Sequence, residues 1–199
     1  RALGVDLPEI DVEDFRRSGY LPEVLANYVA LLGWNPGMKN EDGSDLEKFD
    51  MAFLPEHFSL ERIGKSNARF DRDKLLAFNA DRIQNDLSDA AFGDRWRAWA
   101  ERHDPGLIDL LGDRWALAAK AARPRTRILS EAADHVRFAL IDDDAVAYDE
   151  KAVKKVLLKE PKAGEPAATE ALGELKDIVA GVEPFEPEAI EAAVKGWCE

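Results

Sequence analysis

The chain has few of the side chains from which metal sites and disulfides are built. It contains one cysteine, Cys198, and three histidines, His57, His103 and His135. A single cysteine excludes an internal disulfide, and none of these residues has the spacing of a zinc ligand set. We therefore expect no metal site, and we interpret the histidines as surface or hydrogen-bonded residues.

Long apolar runs are also missing. No stretch approaches the roughly 20 apolar residues that a membrane-spanning helix needs. The first residues, RALGVDLPEI, lack the apolar core of a signal peptide. They also lack an initiator methionine, so we expect a processed or truncated piece of a longer protein. Together with the scarcity of cysteine, these absences favour a cytoplasmic protein without a membrane partner.

Positive charge is scarce, because 27 Lys and Arg face 40 Asp and Glu for a formal net charge of −13. This total argues against non-specific binding of nucleic acid. The cations are clustered, however. The first basic segment, residues 61–74, carries a net charge of +2, and the second basic segment, residues 120–137, carries +3. Two hypotheses remain: contact with RNA or an acidic protein, or solvated helix faces whose long side chains cover apolar surface.

Strand-like alternation is absent, and apolar residues recur at helical spacing throughout. The fold class is therefore predicted to be all-α, built of packed helical hairpins. Caps at Ser44, Asp71 and Ser88 and breaks at Gly33, Pro55 and Asp104 set several helix ends. The predicted helices are 21–32, 44–53, 72–84, 89–103, 107–122, 126–140, 149–158, 167–182 and 186–197. A domain boundary is predicted near residues 84–88, where the sequence is polar.

Gly64-Lys65-Ser66 matches the end of a phosphate-binding P-loop. That motif also needs a glycine five residues before Gly64, where this chain has Ser59. The preceding residues are charged and contain a proline, so they do not form the buried strand that a P-loop follows. A nucleotide site is therefore not expected. The alternatives are an ordinary charged loop or contact with a different kind of phosphate.

Two stretches carry a resemblance to bacterial-type glutamyl-tRNA synthetases. FRRSGYLPEVLANYVALLGWNPG, residues 15–37, resembles the segment that follows the catalytic domain of those enzymes. SLERIGKSNARF, residues 59–70, and its flanks resemble the next motif along. The matching residues of the first stretch are Gly19, Tyr20, Leu21, Pro22, Glu23, Leu25, Asn27, Tyr28, Leu31, Leu32, Gly33 and Trp34. Those of the second are Phe58, Leu60, Glu61, Arg62, Ile63, Lys65, Ser66, Ala68, Phe70, Asp71, Lys74, Leu75 and Asn79.

The resemblance implies a fold and an activity for the parent protein. The family are class I ligases that activate glutamate with ATP and transfer it to tRNA in protein biosynthesis. The HIGH and KMSKS signatures of the catalytic domain are missing here, so the resemblance implies no catalytic or cofactor-binding residue in this chain. It implies that ATP and Mg²⁺ bind elsewhere in the parent protein, and that the parent is a monomer. It implies a stem-contact-like helical domain over residues 1–84. An anticodon-binding domain, truncated at its C-terminal end, is implied over residues 85–199, where the likeness rests on helix order and RPRTRIL.

The resemblance also implies where tRNA binds. In the first basic segment, Arg62, Lys65, Ser66 and Arg69 are expected to meet phosphates and riboses on the inside of the tRNA. Such contacts position the RNA without reading its sequence. Arg62 has an alternative role as a structural arginine paired with Glu61 or Glu56.

In the second basic segment the resemblance implies that Arg125 reads the third base of a glutamate anticodon. Arg123 and Arg127 are then its phosphate-binding partners or substitutes. The alternative is that these arginines only satisfy carbonyls at the end of a helix. A different function class also remains open, an all-helical acidic module for protein–protein interaction. The tryptophans, spaced at helical intervals, are expected in the core.

Overall fold

The computed structural model describes residues 9–64, 68–141, 143–161 and 166–198. For Asp143 it describes the backbone but not the side chain. Within these ranges the predicted all-α class is confirmed: extended pairing is limited to two isolated bridges, Trp34 with Ile63 and Lys39 with Asp45. No helix in the described ranges is both long and apolar enough to cross a membrane. The chain divides into two compact units, Arg1–Ile141 and Asp142–Glu199.

The described residues of the first unit form seven α-helices, and short 3₁₀ or π turns join several of them. The α-helices are α1 Val12–Ser18, α2 Pro22–Leu31, α3 Phe53–His57, α4 Arg72–Asp81, α5 Asp89–His103, α6 Pro105–Leu111 and α7 Trp115–Ala122. The 3₁₀ turns are Leu60–Arg62, Gly112–Arg114, Arg123–Arg125, Leu129–His135, Arg137–Ala139 and Asp143–Ala145, the last of which belongs to the second unit. A π turn, Arg82–Asp86, continues α4.

Local capping explains where the predicted helices begin. The Asp71 carboxylate accepts a hydrogen bond from the backbone N–H of Lys74 at 3.0 Å, and the Ser88 hydroxyl accepts one from Ala91 at 3.1 Å. Each bond satisfies a backbone donor that has no partner within the first helical turn. The predictions of α4 and α5 from these caps are confirmed, as is the prediction of α2 with proline in its first turn.

The predicted helix over residues 44–53 is wrong. The Ser44 hydroxyl donates to the Asp42 carboxylate at 2.6 Å instead of capping a helix. The buried Asn27 amide donates to the carbonyl of Glu47 at 2.9 Å and accepts from the N–H of Phe49 at 3.1 Å. These two bonds use backbone groups that a helix would need, so the segment is held extended. Helix α3 begins only at residue 53.

The predicted helix over residues 107–122 is interrupted. Gly112 has a φ of 47°, which lies outside helical geometry and divides the segment into α6 and α7. The predicted α-helix over 126–140 is also wrong, since 3₁₀ turns replace it. There the N–H of Leu129 donates to the carbonyl of Gly19 at 3.0 Å, a tertiary bond that fixes the start of the segment.

The core of the first unit draws on most of its helices, and α5 packs closely on α7 within it. Trp96 is fully buried, and its ring centroid lies 4.5 Å from that of Trp115. The helices approach closely at Gly93, where an added Cβ would lie 3.3 Å from the Cβ of Ala119. Burying a large apolar side chain contributes roughly 1.5–3 kcal/mol. The expectation that the tryptophans are core residues is confirmed for Trp96, Trp115 and Trp34, all of which are buried.

In the second unit, the residues that the structure describes form three α-helices. They are α8 Glu150–Ala152, which continues as a π turn Val153–Leu157, α9 Ala168–Ala180 and α10 Pro187–Cys198. The last two confirm the helices predicted over 167–182 and 186–197, and they pack on each other. Their side chains are at most half-buried. The Trp197 indole donates to the Glu174 carboxylate at 3.3 Å.

The boundary predicted near residues 84–88 falls inside the first unit. The Gln84 amide donates to the carbonyl of Thr126 at 3.1 Å, and the Arg123 guanidinium donates to the carbonyl of Gln84. These bonds tie the end of α4 to the turn after α7. The assignment of residues 1–84 and 85–199 to two functional domains stays a prediction.

Candidate nucleic-acid interface

The first basic segment is attached to the end of α2. The N–H of Gly64 donates to the carbonyl of Gly33 at 2.8 Å, and Ile63 forms a β-bridge with the buried Trp34. This pairing fixes where the segment leaves the helical body. Lys65 and Ser66 lie outside the described residues, so their predicted contacts with tRNA stay predictions.

Arg62 joins two loops. Its guanidinium donates to the carbonyl of Pro36, in the turn that follows α2. Glu61, one of its two predicted partners, instead accepts a hydrogen bond from the Ser59 hydroxyl at 2.7 Å. That bond lowers the pKa of the Glu61 carboxyl. Arg62 is exposed, yet its guanidinium already serves a structural contact.

Arg69 differs from its neighbours in having no partner. Arg72 pairs with Glu9 at 2.8 Å, and Lys74 pairs with Glu47 at 2.6 Å. Arg69 is exposed, and it makes neither a hydrogen bond nor an ion pair with any residue that the structure describes. Among the described cations of the first basic segment, Arg69 is therefore the one that has neither a hydrogen-bond nor an ion-pair partner.

The second basic segment begins where α7 ends. The buried Thr126 hydroxyl donates to the carbonyl of Ala122 at 2.9 Å and so satisfies the last turn of the helix. The Arg123 side chain turns inward: it donates to Asp89 at 2.5 Å and to the carbonyl of Gln84, and it is only 21% exposed. Arg123 thus holds the turn against the start of α5.

Arg125 and Arg127 face solvent. Arg127 makes a two-pronged ion pair with Glu131, with N–O distances of 3.1 Å and 2.6 Å, and remains 54% exposed. Arg125 is exposed, and across the described ranges it has no hydrogen-bonding or ionic partner; the same is true of Lys120 on α7. The structure therefore separates one structural arginine from two exposed ones within five residues.

Asn79 connects the two basic segments, a role that was not predicted from the sequence. Its side chain is fully buried; Oδ1 accepts from the N–H of Leu21 at 2.8 Å, and Nδ2 donates to the carbonyl of Arg127 at 2.5 Å. The available signal was that Asn79 closes the second family-like stretch. A buried amide that satisfies two backbone groups explains why that position suits asparagine.

Tyr20 lies within reach of cations from both segments. Its pKa is raised, first by burial and then by the charge of Glu9. Arg72 and Arg127 act in the opposite direction on the same phenol. Arginines more than 50 positions apart in sequence are therefore near one another in the fold. The two basic segments border a common region around the turn between α1 and α2.

No metal-binding site is evident in the described part of the chain. There, no group of three or more His, Cys, Asp or Glu side chains is placed to hold a metal ion. The two segments expose arginine and lysine cations alongside several carboxylates. The chemistry of the cations suits phosphate and the acceptor edges of bases.

Comparison with known proteins gives matches along most of the chain. A family model described as the anticodon binding domain matches residues 91–199. The glutamate–tRNA ligase of Corynebacterium jeikeium is 32% identical over 189 residues, which are 94% of this chain and 35% of the relative. The glutamate–tRNA ligase of Corynebacterium glutamicum is 34% identical over 84% of this chain and 33% of its own length. The chain thus spans about one third of the length of the curated relatives that it matches.

Solved structures agree with these matches in fold. A glutamate–tRNA ligase from Elizabethkingia meningosepticum superposes with a TM-score of 0.66 at 23% identity, over 92% of this chain and 32% of that one. The corresponding protein from Elizabethkingia anophelis gives 0.65 at 22% identity. At this level of identity the likeness supports the helical architecture alone. The second basic segment lies inside the range matched by the family model.

Proposed function

Because the chain belongs to the anticodon-binding domain family, we propose that it binds tRNA as part of a glutamate–tRNA ligase. The resemblance predicted from residues 15–37 and 59–70 is confirmed by similarity to such ligases over 94% of the chain. The observation that carries the proposal is the position of Arg125, an exposed cation without a partner among the described residues, inside the matched range.

Arg125 is proposed to contact an anticodon base. Protein recognition of RNA sequence targets unstacked bases, and the guanidinium fork can donate two parallel hydrogen bonds to an acceptor edge. Arg125 ends the 3₁₀ turn that follows α7, and the Thr126 and Arg123 bonds fix the backbone on either side of it. A base reader needs such a fixed origin, because the discrimination depends on hydrogen-bond geometry.

Arg127 is proposed to bind a phosphate beside that base. Its present partner, Glu131, is an exposed (i, i+4) pair, and such pairs contribute only about 0–1 kcal/mol. Exchanging the carboxylate for a phosphate therefore costs little. Arg123 and Arg62 were predicted as tRNA contacts; we propose that they position the surface, because each guanidinium already donates to a backbone carbonyl.

The first basic segment is proposed to bind phosphates and riboses through Lys65, Ser66 and Arg69. Contacts of this kind set the register and orientation of the RNA. The lysine supplies a point charge, and the arginine supplies a planar fork. Arg69 supports this assignment because nothing in the described part of the chain neutralises it.

The remaining properties of the ligase are proposed from its relatives. We propose that ATP and Mg²⁺ are bound by parts of the ligase that this chain does not cover, and that the isolated chain shows no ATP–pyrophosphate exchange with glutamate. Specificity for a glutamate anticodon, a monomeric parent and a cytoplasmic location belong to the same proposal. They are the properties that the resemblance implies.

Binding of tRNA at graded salt tests the proposed function. The probe is a tRNA transcript with a glutamate anticodon, and the dissociation constant is measured between low and physiological salt. Phosphate contacts release counterions, so affinity should fall steeply as salt rises. A double variant, Arg69→Gln with Arg125→Gln, should weaken binding. The matched control removes two exposed but paired cations, Arg97→Gln with Lys195→Gln, and should change it little. Absence of binding at low salt would favour the protein-interaction module instead.

A further inference from the structure

A third cationic site takes its arginines from outside both basic segments. It is a surface cavity of about 470 Å³ between the ends of α1 and α5. Binding cavities for small ligands usually have volumes of about 300–1,000 Å³, so the space is sufficient for one nucleotide. The lining residues are Arg17, Trp99, Arg102, His103, Asp104 and Ser130.

The cavity is held open by backbone contacts. The Ser130 hydroxyl donates to the carbonyl of Ser18 at 2.7 Å, next to the bond between Leu129 and Gly19. The Trp99 indole N–H donates to the carbonyl of Arg17 at 3.1 Å, which ties α5 to α1. The wall of the cavity is thus fixed before any ligand arrives. Preorganisation of this kind lowers the cost of ordering side chains on binding.

The charges of the site are incompletely neutralised. Arg17 has a distant partner in Asp14, 3.6 Å away on the same helix. Arg102 is exposed, and in the described ranges it has no partner at all. The carboxylate of Asp104 is the one acidic group in the lining. Two exposed arginines therefore face the cavity from different helices, and Arg102 has no partner among the described residues.

The pKa of the His103 imidazole is sensitive to the charges around the cavity. This pKa is lowered, first by burial and then by the positive charge of Arg102, with Arg16 and Arg17 acting in the same direction. Glu13 opposes them. The other charged group beside the ring is Asp104. A lowered pKa agrees with a site whose cations repel a further positive charge.

Trp99 adds an aromatic surface. Its ring centroid lies 5.6 Å from that of His103, at an interplanar angle of 39°, and the side chain is half-buried. An aromatic ring beside arginine forks is the combination that single-stranded RNA uses, with a base on the ring and phosphates on the cations. A carboxylate ligand would use the forks but would leave the ring without a role.

We propose that this cavity binds one nucleotide of a tRNA, with its phosphate on Arg17 and Arg102 and its base or ribose against Trp99. The inference rests on the proposed function, because it assumes the same RNA partner. Ser130 lines the cavity and belongs to the second basic segment, three residues after Arg127. Binding of a nucleotide in the cavity would extend the RNA contact of the second basic segment beyond Arg125.

The test compares two arginines of α5 in the full chain. Arg102→Gln removes the unpaired cation at the cavity, and Arg97→Gln removes a cation that is paired with Glu101 at 3.6 Å. With the glutamate-anticodon tRNA as probe, Arg102→Gln should weaken binding about 10-fold and reduce the slope of log affinity against log salt by about one. Arg97→Gln should leave both nearly unchanged. Equal effects of the two variants would overturn the inference.

A second readout concerns the site itself. The pKa of the His103 imidazole, followed by NMR, should rise when the tRNA binds, because a phosphate on Arg17 and Arg102 neutralises the nearby positive charge. An unchanged pKa in the bound state would contradict the placement. If wild type binds tRNA and Arg125→Gln weakens it while both readouts at the cavity stay unchanged, the inference fails and the proposed function stands. If wild type does not bind tRNA, both fail.

Discussion

The buried amide of Asn79 donates a hydrogen bond of 2.5 Å to the backbone carbonyl of Arg127. The donor belongs to α4, directly after the first basic segment, and the acceptor belongs to the second. The same side chain accepts from the N–H of Leu21 at 2.8 Å. One residue thus fixes the relative position of two surfaces that we assign to different parts of a tRNA.

Replacement of Asn79 by alanine should destabilise the protein. It leaves the buried N–H of Leu21 and the carbonyl of Arg127 without partners, and each unsatisfied buried group costs about 1–3 kcal/mol. Urea unfolding should show a loss of about 2–4 kcal/mol. The matched control is Asn85→Ala, because the one bond of the exposed Asn85 side chain to a described residue is with the partly exposed Asp81 carboxylate at 2.8 Å. A loss for Asn79→Ala no larger than that of the control would contradict this role.

Replacement of Arg123 should lower the stability of the protein, whereas replacement of Arg125 should leave stability unchanged and weaken tRNA binding. Arg123→Gln removes the bonds to Asp89 and to the carbonyl of Gln84, and hydrogen bonds with charged groups contribute about 1.5–3 kcal/mol. Arg125→Gln removes an exposed cation that has no partner in the described part of the chain. Thermal unfolding should shift for the first variant and stay within about 0.5 kcal/mol of wild type for the second. The reverse order would mean that the two roles are exchanged.

Gly19 should tolerate no side chain. Its φ is 88°, and an added Cβ would lie 2.7 Å from the backbone nitrogen of Leu129. Gly19→Ala therefore combines the cost of left-handed backbone, about 1–2 kcal/mol, with a backbone clash. Gly43→Ala isolates the first cost, because Gly43 has a φ of 84° and nothing within 4 Å. Denaturant unfolding should give a clearly larger loss at position 19, and equal losses would show that the clash relaxes freely.

Asp81 should contribute to stability only above acidic pH. Its pKa is lowered from 3.8 by a hydrogen bond from Lys48 and then by one from Asn85. Because the folded pKa is depressed, the stabilisation is present above the unfolded pKa and is lost as pH falls through the folded pKa. Asp81→Asn should lower stability at pH 7 by at most about 1 kcal/mol, since the pair is partly exposed. The difference from wild type should vanish at an acidic pH below the lowered pKa of the folded state.

The control for that prediction is Asp109→Asn. Asp109 is exposed and makes no ion pair or hydrogen bond with the residues that the structure describes. Its replacement should leave stability unchanged at both pH values. A deficit of Asp81→Asn that persists at low pH would indicate a packing effect instead of lost carboxylate bonds.

Short-range sequence signals predicted most of the helices correctly. The predictions were wrong where hydrogen bonds to distant parts of the chain hold a segment in another conformation. Asp71 and Ser88 could be assigned as caps because a cap bonds to a backbone group within three residues. The helix predicted over 44–53 failed because the amide of Asn27 binds the segment from α2. The α-helix predicted over 126–140 failed because Gly19 accepts the N–H of Leu129. Neither partner can be identified from propensity or spacing.

For the candidate site, too, the sequence predicted the general location but not the individual contacts. Clustering of cations indicated both basic segments, and the family-like stretches indicated a partner for them. Which arginines are occupied was not predictable, because Arg123 finds Asp89 and the carbonyl of Gln84 more than 30 positions away. The cavity at Trp99 was missed for a related reason: Arg17 and Arg102 are brought together only by the packing of α1 on α5.

The central claim is that Arg125 reads an anticodon base. The direct measurement is the ratio of dissociation constants for a tRNA with a glutamate anticodon and the same tRNA with its third anticodon base changed, for wild type and Arg125→Ala. Loss of a bidentate contact should remove about 1–3 kcal/mol of discrimination and bring the ratio towards one, while affinity for the changed tRNA falls much less. Equal weakening for both tRNAs, with the ratio preserved, would identify Arg125 as a phosphate contact and contradict the account.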